Sequence, residues 1–107
     1  MVKQPSMNFE KWHAARNDFI IVALPAANLH AMIKQVLRTF VAMCGRDGRG
    51  VGADGVIVCC EYQQRLMIWI INADGSFASN CGNGLRCAAK YFFARHVDQT
   101  QVLIGVG

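Results

Sequence analysis

Apolar and polar residues along this chain fall into short segments that match the repeats of strands and helices. Apolar stretches of strand length predict five β-strands, at residues 9–13, 19–24, 56–60, 66–71 and 100–104. Apolar residues three and four positions apart predict two helices, at residues 28–43 and 82–96, with Asn28 as the N-cap of the first. The second helix is apolar over much of its circumference, which is typical of a helix deeply buried in its domain.

Three connecting segments differ in character. Residues 45–55 contain five glycines, so their backbone must bend sharply or approach another part of the chain closely. Residues 61–65 are polar and separate two apolar strands, which predicts a hairpin. Residues 72–81 form a polar loop that leads into the second helix.

Length and composition favour one globular domain. The chain has 107 residues, of which 53% are apolar and 17% charged, a balance that supports a buried core. We therefore expect a single domain over residues 1–107, with residues 1–7 as a flexible leader. No apolar stretch approaches the ~20 residues of a membrane span and no secretion signal is evident, so we expect a cytoplasmic protein without a membrane partner. The 11 basic residues are scattered, so the net charge of +4 does not indicate a nucleic-acid partner.

The five cysteines are expected to be reduced in the cytosol, and an odd number could not pair completely. Their spacing contains no C-x-x-C pair, so we expect no metal site. Cys81 lies where the polar loop enters the second helix. The other four are interpreted as structural, because a buried thiol usually behaves as a small apolar residue; they are Cys44, Cys59, Cys60 and Cys87.

The position of Cys81 favours a reactive thiol. The first turn of a helix carries unpaired N–H groups and a partial positive charge, which can lower a thiol pKa from ~8.5 into the range ~3.5–7.5. The same N–H groups, at Gly82, Asn83 and Gly84, are suited to a substrate carboxylate. The alternative is that Cys81 only packs at a helix start and that the glycines only make a turn.

Four sequence motifs occur in a fixed order along the chain. F-x-K-x-H-x-x-x-N-D-F begins at Phe9, G-V-G-A-D-G occupies residues 50–55, N-A-D-G-S occupies residues 72–76, and C-G-N-G-x-R-C occupies residues 81–87. In this order they resemble the diaminopimelate epimerase family. The resemblance implies an α+β fold in which a curved, mostly antiparallel sheet wraps around a central helix. It also implies cofactor-independent interconversion of LL- and meso-diaminopimelate, a step in lysine and peptidoglycan biosynthesis.

The resemblance implies roles for five residues. Cys81 matches one of two catalytic cysteines, which act on the substrate's α-proton as thiolate base or thiol acid. Asn17 and Asn72 match residues that hydrogen-bond the amino acid substrate, and Gly82 with Asn83 match the helix start that receives a carboxylate. No pyridoxal phosphate, metal or other cofactor is implied. The alternative for both asparagines is an ordinary turn position, which Asn favours whatever the function.

The chain departs from the family pattern at residues 14–16 and in its length, among other positions. Residues 14–16, Ala-Ala-Arg, stand where the family commonly has glycine and a small apolar residue, which adds a charge beside Asn17 and bears on substrate selectivity. Family members have two similar halves with one cysteine each, and this chain resembles the N-terminal half. Inversion requires a base on one face of the carbon and an acid on the other. We therefore expect a second thiol from a missing C-terminal half or from a second copy in a homodimer; the alternative is a catalytically inactive half that binds a ligand or a partner.

Overall fold

The computed structural model describes residues 9–14, 16–25, 27, 29–46, 50, 52–78 and 82–106. The elements in these ranges are β1 (Phe9–Ala14), β2 (Asn17–Ala23), α1 (Leu29–Met43), β3 (Gly55–Tyr62), β4 (Arg65–Asn72), α2 (Gly82–Arg95) and β5 (Leu103–Val106). The seven predicted elements are confirmed, with ends that differ by no more than three residues. The predicted cap Asn28 and the predicted leader at residues 1–7 lie outside the described residues. No helix in the described ranges is long and apolar enough to cross a membrane.

The strands form a five-stranded sheet in the order β1-β2-β3-β4-β5. β1 with β2 and β3 with β4 are antiparallel pairs, whereas β2 with β3 and β4 with β5 are parallel. Parallel neighbours need a crossover connection, and the helices provide it: α1 joins β2 to β3 and α2 joins β4 to β5. The predicted α+β class is confirmed. The sheet is mixed: two of its four strand pairs are parallel and are connected by crossovers, and the other two are antiparallel and are connected by hairpins.

The two helices pack on opposite faces of the sheet, here called the α1 face and the α2 face. Successive side chains of a strand point to opposite faces, so Phe19 contributes to the core under α2 and Ile20 to the core under α1. Phe92 of α2 and Phe40 of α1 are the largest side chains that are almost completely buried in these cores, and each is at most 2% exposed. Burial of each contributes about 2–3 kcal/mol of transfer free energy.

Crossover handedness explains why the helices lie on opposite faces. Both crossovers advance in the same direction across the sheet, but β2 and β4 run in opposite directions because β3 and β4 are antiparallel. Right-handed crossovers between strands of opposite direction place their helices on opposite faces. Each helix therefore covers a face of its own and builds a separate core.

The glycine-rich segment after α1 folds back onto the end of that helix. The N–H groups of Gly52 and Ala53 donate to the carbonyl oxygens of Met43 and Cys44 at 3.0 and 3.2 Å. They pair with carbonyl groups that the last turn of a helix leaves without an internal partner. Gly52 has a φ of 84°, and a Cβ at Gly50 would collide with three carbonyl oxygens near the helix end. The predicted close approach is confirmed at these two glycines.

The β3–β4 hairpin turns at Gln63 and Gln64, in the middle of the predicted polar segment. Both residues have positive φ, 51° and 62°. A two-residue loop of this kind matches the twist of the flanking strands, but its positions are usually occupied by Asn, Asp or Gly. Glutamine takes the left-handed conformation only at a cost, so this turn is held by the strands that it joins.

Candidate active site

The two asparagines predicted to bind substrate lie at one end of the sheet and on the same face. Asn17 is the first residue of β2, and Asn72 is the last residue of β4. On the strand between them, Gly55 pairs with both Phe19 and Asn72. Side chains two positions apart on a strand point to the same face. Asn17 is two positions from Phe19 and Asn72 is two positions from Ile70, and both Phe19 and Ile70 belong to the core under α2, so both asparagines lie on the α2 face. Strand spacing and rise place their Cα atoms roughly 12 Å apart.

The start of α2 lies toward the same end of the sheet. Two contacts fix the other end of the helix: Arg95 forms an ion pair with Glu10 of β1, and His96 is 2.8 Å from Glu61 near the end of β3. Both carboxylates lie at the end of the sheet away from the asparagines. A helix of 14 residues is about 21 Å long, so α2 returns along the sheet and brings Gly82 toward them.

The first turn of α2 is suited to an anion. It contains no acidic residue, so its N–H groups have no carboxylate of their own helix beside them. Gly82 is exposed, and apart from its chain neighbours and its own helix backbone no atom of the described residues lies within 4 Å of a Cβ placed on it. Packing among the described residues therefore does not require glycine there, whereas close approach of a ligand to the backbone would. Asn83 follows and is half-buried, and Cys81 lies outside the described residues.

The loop after β4 is organised around Asn72. Its N–H donates to the carbonyl of Ser76 at 2.8 Å, and its Nδ2 donates to Ser76 Oγ at 3.0 Å. Asp74 accepts hydrogen bonds from the hydroxyl and the N–H of Ser76, which lower the pKa of the Asp74 carboxyl. Gly75, with a φ of 92°, donates its N–H to the carbonyl of Asn72. Residues 77–78 then pair with the last part of β4, so Asn72 has a turn role as well as its predicted binding role.

Comparison with known proteins decides the family. The family described as Diaminopimelate epimerase matches residues 9–106, a span that includes all seven elements. The chain belongs to the diaminopimelate epimerase family. The resemblance inferred from the four motifs is confirmed.

Relatives named diaminopimelate epimerase align with most of this chain. The Clostridium perfringens protein is 35% identical over 98 residues, which cover 91% of this chain and 35% of the relative. The Bacillus subtilis protein is 37% identical over 106 residues, which cover 92% and 34%. The Moorella thermoacetica protein is 38% identical over 88 residues, which cover 81% and 30%. The chain thus spans about a third of the length of these diaminopimelate epimerases.

Four other cysteines of this epimerase-family chain are buried in its two cores. Cys44 and Cys60 lie in the core under α1, and Cys59 and Cys87 lie in the core under α2. Burial raises the pKa of Cys44 and of Cys60, and burial together with the nearby carboxylate of Glu61 raises the pKa of Cys59 to about 12. A thiol with a raised pKa stays protonated near neutrality, so these three are poorly suited to act as a base. All four side chains are buried, in agreement with their structural interpretation. The described residues contain no group of three or more His, Cys, Asp or Glu side chains arranged to hold a metal ion.

A charged cluster lies behind the asparagines, on the α1 face. The N–H of Asp18 donates to Asp54 Oδ2 at 2.9 Å, and the N–H of Asp54 donates to Asp18 Oδ1 at 3.1 Å. Arg46 Nη2 donates to Asp18 Oδ1 at 2.8 Å, and Lys11 Nζ lies 3.0 Å from Asp18 Oδ2. These four residues, here called the carboxylate cluster, join β1, β2 and the segment between α1 and β3.

Asp18 remains ionised although it is 9% exposed. Burial alone would raise the pKa of its carboxyl, but hydrogen bonds from Arg46, Lys11 and Asp54 outweigh burial and hold that pKa well below its usual range. The sequence patterns described above do not predict this cluster. One signal was present: Asp18 directly precedes the apolar run of β2, and an aspartate is seldom buried there without charged partners.

Proposed function

We propose that this chain forms one side of the active site of an epimerase that interconverts LL- and meso-diaminopimelate. The observation that carries the proposal is the convergence of Asn17, Asn72 and the first turn of α2 at one end of the α2 face. Family membership supports the same reaction, because the matching relatives are named diaminopimelate epimerase.

The proposed site recognises one amino acid centre of diaminopimelate. The carboxylate of that centre binds the N–H groups at Gly82 and Asn83, where the partial positive charge of the helix favours an anion. The side-chain amides of Asn17 and Asn72 supply donors and acceptors together. This combination suits a centre that carries both an ammonium group and a carboxylate.

Cys81 is the proposed acid–base group. It directly precedes Gly82, and a helix start favours the thiolate form of a nearby cysteine. The thiolate takes the α-proton from the substrate, and in the reverse direction the thiol returns a proton to the carbanion. The proton moves directly between carbon and sulfur, so the scheme uses no cofactor.

Inversion also requires an acid–base group on the opposite face of the carbon. Cys44, Cys59, Cys60 and Cys87 are buried in the cores and are poorly placed for this role. We propose that the second thiol comes either from a second copy of this chain or from a C-terminal half of the family type. Diaminopimelate is the proposed partner, and neither a nucleic-acid nor a membrane partner is part of the proposal. The cytoplasmic location remains a prediction.

Exchange of the substrate's α-proton tests the proposal. The chain is incubated with LL-diaminopimelate in deuterated water, deuterium incorporation is measured by mass spectrometry, and stereochemistry is measured by chiral chromatography. We expect incorporation that Cys81→Ala lowers by about 10³-fold. Cys60→Ala is the matched control, because it removes a buried thiol on the α1 face and should leave exchange unchanged.

The pattern of exchange separates the alternatives. Exchange with inversion whose rate rises with the square of chain concentration would indicate a second copy as the source of the other thiol. Exchange that persists in Cys81→Ala would rule out the proposed role of this cysteine. Binding of diaminopimelate without exchange, together with iodoacetamide alkylation of Cys81 at the rate of an ordinary cysteine, would favour a catalytically inactive ligand-binding half.

A further inference from the structure

A short path of hydrogen bonds joins the two proposed substrate-binding asparagines. Asn17 is followed by Asp18, whose N–H donates to the Asp54 carboxylate at 2.9 Å. The N–H of Asp54 donates in return to the carboxylate and the carbonyl of Asp18, at 3.1 and 3.0 Å. The carbonyl of Asp54 accepts the N–H of Ala73 at 3.2 Å, and Ala73 directly follows Asn72. The path therefore begins one residue after the first asparagine and ends one residue after the second.

This path connects the two faces of the sheet. Asp18 alternates with Phe19, so its carboxylate lies on the α1 face, whereas Asn17 belongs to the α2 face. Adjacent residues of a strand share one backbone. A carboxylate held behind the sheet therefore fixes the position of the asparagine in front of it.

Two cations allow the paired carboxylates to remain in contact. The carboxylates of Asp18 and Asp54 lie against the same nitrogen of Arg46, and two carboxylates so close would repel each other if they were not neutralised. Lys11 from β1 and Arg46 from the segment after α1 supply the opposite charge, and Arg46 Nη2 lies 2.8 Å from Asp18 and 3.4 Å from Asp54. Contributions from three separate segments make the arrangement resistant to sliding of any one strand.

We infer that Asp18 and Asp54 are positioning residues that set the separation of Asn17 and Asn72 across the proposed substrate-binding surface. The inference rests on the proposed function, because it takes these asparagines as substrate ligands. The two aspartates act from behind the sheet, through the backbone. A displacement of about 1 Å in a binding group can cost about 10²-fold in activity, so a change behind the sheet reaches the site in front of it.

Three variants test the inference by NMR. Asp54→Ala removes the acceptor for the Asp18 N–H, whereas Asp54→Asn keeps an acceptor oxygen of nearly the same shape. Ile33→Val is the control, since it trims a buried residue of α1 and leaves the carboxylate cluster intact. We expect Asp54→Ala to shift the side-chain amide signals of Asn17 and Asn72 and to weaken diaminopimelate binding by about 10- to 100-fold. Asp54→Asn should largely restore the asparagine signals and the diaminopimelate affinity. Ile33→Val should change neither the signals nor the affinity, although it lowers the melting temperature.

The unmodified chain provides a test that does not depend on a variant folding. Amide hydrogen exchange of Asp18, Asp54 and Ala73 should report one common opening reaction, because their hydrogen bonds form a single path. Independent openings would overturn the inference, as would an Asp54→Ala variant with unchanged asparagine signals and unchanged affinity. If the unmodified chain does not bind diaminopimelate, the proposed function fails. The common opening and the asparagine signals would then still decide whether the aspartates position the asparagines.

Discussion

The two faces of the sheet differ most at the end that carries Asn17 and Asn72. On the α1 face, the carboxylates of Asp18 and Asp54 are matched by two cations, and the glycine-rich segment packs directly on the end of α1. On the α2 face, the same end presents two side-chain amides and a helix start without an acidic residue. Among the described residues, a Cβ on Gly82 would meet no packing neighbour within 4 Å.

This difference indicates that the two faces of the sheet have different roles at the same strand ends. Paired charges and close backbone contacts hold the strand ends in place from the α1 face. The α2 face keeps polar groups and open space at the same strand ends, as a ligand site requires. A substitution on the α1 face should therefore act on stability and should affect ligand binding only where it displaces the strand ends, whereas a substitution on the α2 face should act first on ligand binding.

The largest expected effect is that of Gly50→Ala on stability. A Cβ at this position would collide with carbonyl oxygens near the end of α1, and backbone atoms cannot move aside as a flexible side chain can. We expect the free energy of unfolding to fall by about 3 kcal/mol. For a domain of this size the melting temperature should fall by about 15 °C, measured by circular dichroism.

Gly82→Ala is the matched substitution on the α2 face. Its Cβ enters open space, and alanine has a higher helix propensity than glycine, so stability should be unchanged or higher by up to about 1 kcal/mol. Diaminopimelate binding, measured by titration, should nevertheless weaken, because the methyl group obstructs the N–H groups of the helix start. Similar losses of stability in both variants would break the proposed distinction between the faces.

An intermediate effect is expected from Asp18→Asn, and it should depend on pH. The folded chain holds the pKa of Asp18 below the unfolded value of about 3.9, so the ionised carboxylate stabilises the fold above that pH. This contribution is lost progressively as the pH falls from about 4 toward the lower pKa of the folded state, because the unfolded chain takes up a proton at this residue before the folded chain does. We expect the variant to be less stable by about 2 kcal/mol at pH 7 and the difference to shrink below pH 4. Urea unfolding at a series of pH values measures it.

A second carboxylate variant controls for the general effect of removing a negative charge. Glu61→Gln alters the 2.8 Å contact with His96 at the far end of the sheet, where both side chains are partly exposed. Its effect at pH 7 should be below about 1 kcal/mol. A loss equal to that of Asp18→Asn would mean that the carboxylate cluster has no special role.

The order of the elements was predictable because each has a strong local pattern. Residues 29–43 carry apolar residues at helical spacing, and β3 and β4 are continuous apolar runs. The position of β5 was less predictable: the apolar pattern indicated residues 100–104, whereas the strand is Leu103–Val106. β5 pairs with the first half of β4, and residues 77–78 pair with the second half. The position of β5 is therefore determined by the part of the β4 edge that residues 77–78 leave free for pairing.

The candidate site was predictable only as far as its residues are adjacent in sequence. The loop that leads into α2 could be identified from residues 72–87 alone. The carboxylate cluster could not, because Asp18 and Asp54 are 36 positions apart and meet through the parallel pairing of β2 with β3. Neither neighbouring sequence nor periodicity specifies which strands become adjacent.

The smallest expected effect is that of Gln64→Gly, at the end of the sheet away from both asparagines. Gln64 has a φ of 62°, a conformation that glycine adopts without the steric cost that its Cβ imposes. We expect stabilisation of about 1 kcal/mol, which corresponds to a rise of about 5 °C in melting temperature. Diaminopimelate affinity should stay unchanged, because within the described ranges the turn shares no hydrogen bond with the carboxylate cluster or with α2. A gain in affinity along with stability would mean that ligand binding follows global stability, and the contrast between the two faces would lose its basis.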